Sequence, residues 1–245
     1  MGRALLAIWT PLAPTPLLWL AVTLLAYLAG HMIRKLCRGS PLANPVLIAI
    51  VVMALLLVGT RTSYATYFAG AQFINFLLGP ATVALAVPLA RNMNHVRRSF
   101  PGVGLALLAG SLTSAVSGVV VVWLLGGGQA VALAMAPKAV TTPIAMALSQ
   151  EIGGAPALTA ALAIAGGIVA AVIGQTVLRW LRIDDWRAHG FAAGVGGSGV
   201  AAAQVAPLDG LAAAFAALGI SLNGLLTAVL VPLLAPFIGW LWVVG

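Results

Sequence analysis

Lys138 lies in Ala136-Pro137-Lys138-Ala139-Val140-Thr141-Thr142-Pro143, inside a run that is otherwise apolar. A cation in hydrocarbon is expensive, and proline frees backbone carbonyls that lipid cannot satisfy. The two are tolerated together where a helix is broken and lines a polar cavity. Pro137 and Pro143 mark such a break. A half-helix beginning after it presents free N–H groups and about half a unit of positive charge at its N-terminus. Lysine, the hydroxyls of Thr141 and Thr142 and that N-terminus together make a site for a small carboxylate. Two plainer readings compete: a lysine near a helix end can snorkel to the interface, and threonine often bonds back to its own helix.

The second irregular element is Gly194-Val195-Gly196-Gly197-Ser198-Gly199. Its GxGxxG spacing lacks the βαβ surroundings of a dinucleotide site. Its Gly196-Gly197-Ser198-Gly199 run matches the GxSG pattern of intramembrane serine proteases, whose serine needs a histidine base within reach. His31, His95 and His189 all precede Ser198 and are expected in loops or at span ends, so no catalytic residue is assigned. The remaining readings are close backbone packing, or an unwound helix between Gly194 and Gly199 whose Gly196, Gly197 and Ser198 face a substrate. A third element, Leu78-Gly79-Pro80-Ala81-Thr82, follows Gln72 and Asn75. Pro80 predicts another break, with Asn75 and Thr82 as candidate polar contacts; gluing of neighbouring helices explains Gln72 and Asn75 equally well.

Glu151, Asp184, Asp185 and Asp209 are the only acids, and each is expected at a loop or span end. A proton relay on a buried carboxylate is therefore disfavoured. Metal chemistry is disfavoured too, because no His/Cys/acid cluster has ligand spacing. No metal and no cofactor is expected, and the chain does not read as an enzyme.

The elements around these residues follow from composition. Of 245 residues, 62% are hydrophobic and 7% charged, against about 25% charged in a soluble domain. The chain therefore reads as an all-α polytopic membrane protein forming one domain over residues 1–245. About seven to eight transmembrane or re-entrant segments fit this length, several of them broken helices. Spans are expected near residues 16–30, 42–59, 68–90, 103–125, 129–149 and 156–181. A glycine-rich stretch at 191–206 makes a poor continuous helix, and a last segment at 211–244 is divided by Pro232 and Pro236. The net charge of +8 is accounted for by basic loops, densest at Arg34–Arg38 and Arg91–Pro101, and not by nucleic-acid binding. Placing those loops on one side requires either a re-entrant Lys138 segment or an inverted repeat that exchanges sides. Gly166-Gly167 with Gly174 permits tight helix contacts within or between subunits, so a homo-oligomer is allowed.

Three blocks carry a family resemblance. Pro137-Lys138-Ala139-Val140-Thr141-Thr142-Pro143-Ile144-Ala145-Met146 with Ile152-Gly153-Gly154-Ala155-Pro156-Ala157-Leu158-Thr159 closely resembles the signature of the LrgB/CidB family. Phe76-Leu77-Leu78-Gly79-Pro80-Ala81-Thr82-Val83-Ala84-Leu85-Ala86-Val87-Pro88-Leu89 and Asn44-Pro45-Val46-Leu47 resemble two more family blocks. The resemblance implies a multi-pass protein of the bacterial inner (plasma) membrane. It further implies a small holin-like membrane partner of the LrgA/CidA type, and either transport of small carboxylates of the pyruvate/glycolate class or non-transporting regulation of murein hydrolase activity and autolysis. There is one departure. The family's glycine-rich block usually reads GTSSHGIGTAR, whereas here Val195 stands for threonine, Ser198 for histidine and Gln204 for arginine, which implies altered coupling or substrate.

Overall fold

The computed structural model describes residues 15–37, 43–77, 80, 90, 91 and 93–244, and among them every regular element is helical. The chain divides into two compact units, Met1–Ala84 and Leu85–Gly245.

The first unit holds α1 (Pro16–Leu36), α2 (Pro45–Thr60) and α3 (Tyr64–Phe76). Trp19 is fully buried and meets Tyr67 edge-on at 5.7 Å, in a core shared with Ala26 and Met53. The Asn44-Pro45 block starts α2. The Asn44 carboxamide oxygen accepts from the amides of Val46 (2.8 Å) and Leu47 (3.4 Å), and Pro45 occupies the first turn, where no N–H is needed. Gly30 lets the backbone at Pro45 cross α1; a Cβ there would lie 2.7 Å from the Pro45 carbonyl oxygen. The break expected at Gly79-Pro80 is not seen, because Gly79 and Thr82 lie outside the described residues.

The second unit contains α4 (Met93–Arg98), α5 (Phe100–Leu124), α6 (Gln129–Met135), α7 (Thr142–Glu151), α8 (Pro156–Trp180), α9 (Trp186–Val205) and α10 (Gly210–Val244). Pro101, Pro143 and Pro156 stand in the first turns of α5, α7 and α8. Two of the four acids serve as helix caps. Asp185 accepts from the amide of Arg187 at 2.9 Å, and Asp209 from those of Leu211 and Ala212 at 2.7 and 3.1 Å. The Arg187 guanidinium hydrogen-bonds the Asp185 carboxylate and holds it below the usual carboxylate range.

Helices α1, α5, α8 and α10 are long and apolar enough to cross a membrane, and α2 is a shorter apolar helix. At about 1.5 Å per residue, the 25 residues of α5 or α8 exceed a hydrocarbon core of about 30 Å. Their outward faces carry exposed Leu105, Leu124, Leu125, Ile173 and Trp180, which suits lipid and not water. The chain is an all-α, multi-pass membrane protein.

The glycine-rich stretch is helical as far as Val205 but is interrupted by a kink at Ser198. Two sequence expectations need correcting. Pro232 and Pro236 lie inside an unbroken α10. In lipid a full break would orphan more backbone groups than a proline inside a helix does, so the helix continues. The stretch expected as a loop, Arg91–Pro101, instead contains α4 and the first residues of α5.

Candidate functional site

The unit's densest packing is the seam between α9 and α10. Ala212, Ala216, Gly219 and Asn223 recur at four-, three- and four-residue steps, which puts them on one face of α10. The first three are small because the α9 backbone lies directly against them. A Cβ on Gly190 would strike the Ala212 carbonyl, one on Gly194 the Ala216 carbonyl, and one on Gly219 would lie 2.9 Å from the Phe191 carbonyl oxygen. The fourth residue, Asn223, is 1% exposed and polar. It arrives beside the place where α9 bends.

That bend is Ser198, at φ 49° and ψ −141°. Non-glycine residues in this region are strained by about 1–3 kcal/mol. The strain sits on the serine, and glycines 194 and 199, expected to make the break, lie on either side of it. The Ser198 hydroxyl oxygen is buried and has no hydrogen-bond partner. His189 is in the first turn of α9, where its Nε2 meets the Ile183 carbonyl at 2.7 Å, so a Ser–His couple is not formed. Glycines of the block divide by role. Gly194 and Gly197 are tightly packed, the latter against Ala170 and Ala201, whereas Gly196 and Gly199 face open space. Gly167 of α8 packs against the Gly197 carbonyl, with Cβ room of only 3.1 Å; Gly166 and Gly174 do not make such contacts.

The other irregular segment separates α6 from α7. α6 ends at Met135, α7 begins at Thr142, and residues 136–141 between them are non-helical turn and bend. Thr141 is the N-cap residue of α7 through its carbonyl, which accepts from Ala145 at 2.9 Å, while its side chain makes no cap bond. Thr141 and Thr142 are both half-buried. Lys138 is half-buried and folds onto α5, donating from Nζ to the Ser114 carbonyl at 2.6 Å and lying 3.4 Å from the Ser114 hydroxyl. Gly118, one turn further on, leaves room for the ammonium; a Cβ there would stand 2.6 Å from it. Among the described residues the one ion pair is Arg187–Asp185, so the Lys138 charge meets a neutral carbonyl and no carboxylate.

The second half of the same block builds scaffold. Gly153 adopts φ 81° to end α7. Gly154 lets that turn press on Ser149, whose hydroxyl accepts from Thr159 at 2.7 Å, both residues being fully buried.

Asn223 joins the two breaks. Its Nδ2 donates to the Ala139 carbonyl, next to Lys138, and to the Val195 carbonyl, three residues before Ser198, each at 3.1 Å. Its Oδ1 accepts from the Ser111 hydroxyl at 2.6 Å and the Thr227 hydroxyl at 3.4 Å. Asn223 is not among the residues the sequence singles out; its signal there is an amide in an apolar helix at the step set by Ala212, Ala216 and Gly219. A neighbouring cavity of about 360 Å³ is lined by Gly110, Leu178, Val195 and Gly196 among others, and includes neither Lys138 nor Ser198. Asn75 and Pro80 belong to the first unit, and the Asn75 side chain, like Thr82, lies outside the described residues.

A model of the LrgB-like family matches residues 23–237. Proteins named antiholin-like protein LrgB from Bacillus mycoides (strain KBAB4), Bacillus cereus (strain B4264) and Bacillus anthracis (strain CDC 684 / NRRL 3495) are each 31% identical over 225 residues. The alignments cover 92% of this chain and 98% of each relative. No solved structure matches the chain.

Proposed function

The chain belongs to the LrgB-like family, and on that premise we propose that it is the large membrane component of a holin/antiholin-type system whose Lys138 site binds and passes small carboxylates. The observation that carries the carboxylate reading is the charge of Lys138. It is half-buried, held by the Ser114 carbonyl, and has no acid beside it among the described residues. A buried charge is stable when paired. An anionic substrate supplies that pair, and a carboxylate also suits the hydroxyls of Thr141 and Thr142 and the free amides at the start of α7. Broken helices around such a site suit alternating access. In this reading Ser198 and the open Gly196 are the candidate contacts that α9 supplies. Pyruvate and glycolate are the class of substrate proposed, the bacterial inner membrane the location, and a small holin-like membrane protein the partner.

Uptake of radiolabelled pyruvate, lactate and glycolate into proteoliposomes tests this. Wild type is expected to take up at least one of them, and Lys138→Ala to lose about tenfold or more of that rate, the worth of a charge-assisted hydrogen bond. No uptake by wild type, or undiminished uptake by Lys138→Ala, overturns the substrate reading. The relatives' name favours a second reading, in which the protein regulates cell-wall hydrolases through its partner without solute flux. That reading expects co-purification with the partner and the lysis phenotype to survive Lys138→Ala.

A further inference from the structure

The amide of Asn223 uses all of its hydrogen-bonding capacity. A carboxamide has two N–H donors and an oxygen with two lone pairs. Here the donors go one to each helix break, Ala139 and Val195, and the oxygen receives Ser111 and Thr227. The amide's orientation is fixed by its neighbours, because the reverse would set its oxygen against two carbonyl oxygens. Both recipients need such a donor. Ala139 lies in the turn between α6 and α7, and Val195 is just ahead of the residue that interrupts the α9 ladder. Packing of α9 on α10 does not call for an amide, since the preceding positions of that face are alanine and glycine.

From this stoichiometry we infer that Asn223 is a positioning residue that ties the Lys138 break and the Ser198 kink into one moving part. If either break shifts alone, a buried carbonyl loses its donor and the amide is left half satisfied, which is worse than an apolar contact. The two segments therefore open together or not at all. The inference rests on the two breaks forming one site, and it does not depend on what that site binds.

Cysteine reactivity tests it on the full chain in nanodiscs, with Cys37→Ser as background and no carboxylate present. Ser198→Cys reports on the kink, buried Val140→Cys on the Lys138 break, and buried Ala26→Cys on the first unit as a control. Combining each with Asn223→Leu is expected to raise N-ethylmaleimide labelling at both Ser198→Cys and Val140→Cys in parallel, by about tenfold, the factor expected from loss of one hydrogen bond to local opening. The Ala26→Cys rate is expected to stay unchanged. Acceleration at one break only, at neither, or at all three positions overturns the inference. If Asn223→Leu does not fold, Ser111→Ala, which removes the 2.6 Å bond orienting the amide, is expected to raise both rates by a smaller factor. Unchanged rates in Ser111→Ala overturn the inference as well. Labelling without substrate separates this outcome from failure of the carboxylate reading.

Discussion

The two helix breaks of the second unit are made in opposite ways. The first is six residues long, opened between Met135 and Thr142 with prolines inside and just beyond it, and its charged side chain is engaged, Lys138 on the Ser114 carbonyl. The second is one residue long, made by a serine in a conformation that suits glycine, and its side chain is unengaged, the Ser198 hydroxyl lacking a partner. A wide break can position a charge and shield it with backbone. A point kink cannot, and it relies on neighbours: Gly167 and Ala170 on α8, and the Asn223 amide on α10. The difference teaches that the wide break holds a charged group in place, while the point kink carries close packing and strain.

The packing around the kink is the easier to break. Gly194→Ala puts a methyl group into the Ala216 carbonyl, and the α9–α10 seam has to spread. Overpacking of this kind costs about 1–3 kcal/mol or more. Gly196→Ala, two residues away, meets open space and is expected to be neutral or to add up to about 1 kcal/mol through helix propensity. Thermal unfolding in detergent distinguishes the two. Equal effects would mean that the glycines do not divide into packed and open positions.

At the wide break, Gly118→Ala tests placement without removing charge. Its Cβ would take the space of the Lys138 ammonium, a flexible tip that moves off the Ser114 carbonyl. Transport is expected to fall severalfold, by the worth of about one hydrogen bond, with little change in thermal stability. Full activity in Gly118→Ala would show that the position of the ammonium on α5 is irrelevant.

Ser198→Gly bears on the kink itself. Relief of the strained backbone, offset by the added freedom of the unfolded chain, is expected to leave stability unchanged or raised by up to about 1 kcal/mol. A loss of stability would mean that the hydroxyl has a partner and that the contrast between the two breaks is false.

Legibility in the sequence followed the same division. The wide break is legible as a region because proline and lysine in an apolar run each demand an explanation; Pro137 and Pro143 mark it, and its ends at Met135 and Thr142 come from the fold. The kink was readable only as a region: four glycines between 194 and 199 weaken a helix without saying which residue bends, and it is tertiary packing against Gly167 and Ala170 that decides. Asn223 was not legible because a lone asparagine in Leu222-Asn223-Gly224 is as consistent with ordinary helix pairing as with a junction. Its meaning depends on Ala139 and Val195, 84 and 28 residues away. Pro232 and Pro236 point the other way: proline breaks helices in water, whereas lipid favours keeping the helix.

The central claim is that Lys138 is the counter-charge for a small carboxylate, and equilibrium binding tests it without requiring flux. Labelled pyruvate and glycolate would be titrated onto purified wild type and onto Lys138→Met, which keeps the length of the side chain. Saturable binding of at least one ligand to wild type, weakened about ten- to hundredfold in Lys138→Met, is the predicted result. Equal affinity in the two proteins, or no saturable binding to wild type, would contradict it.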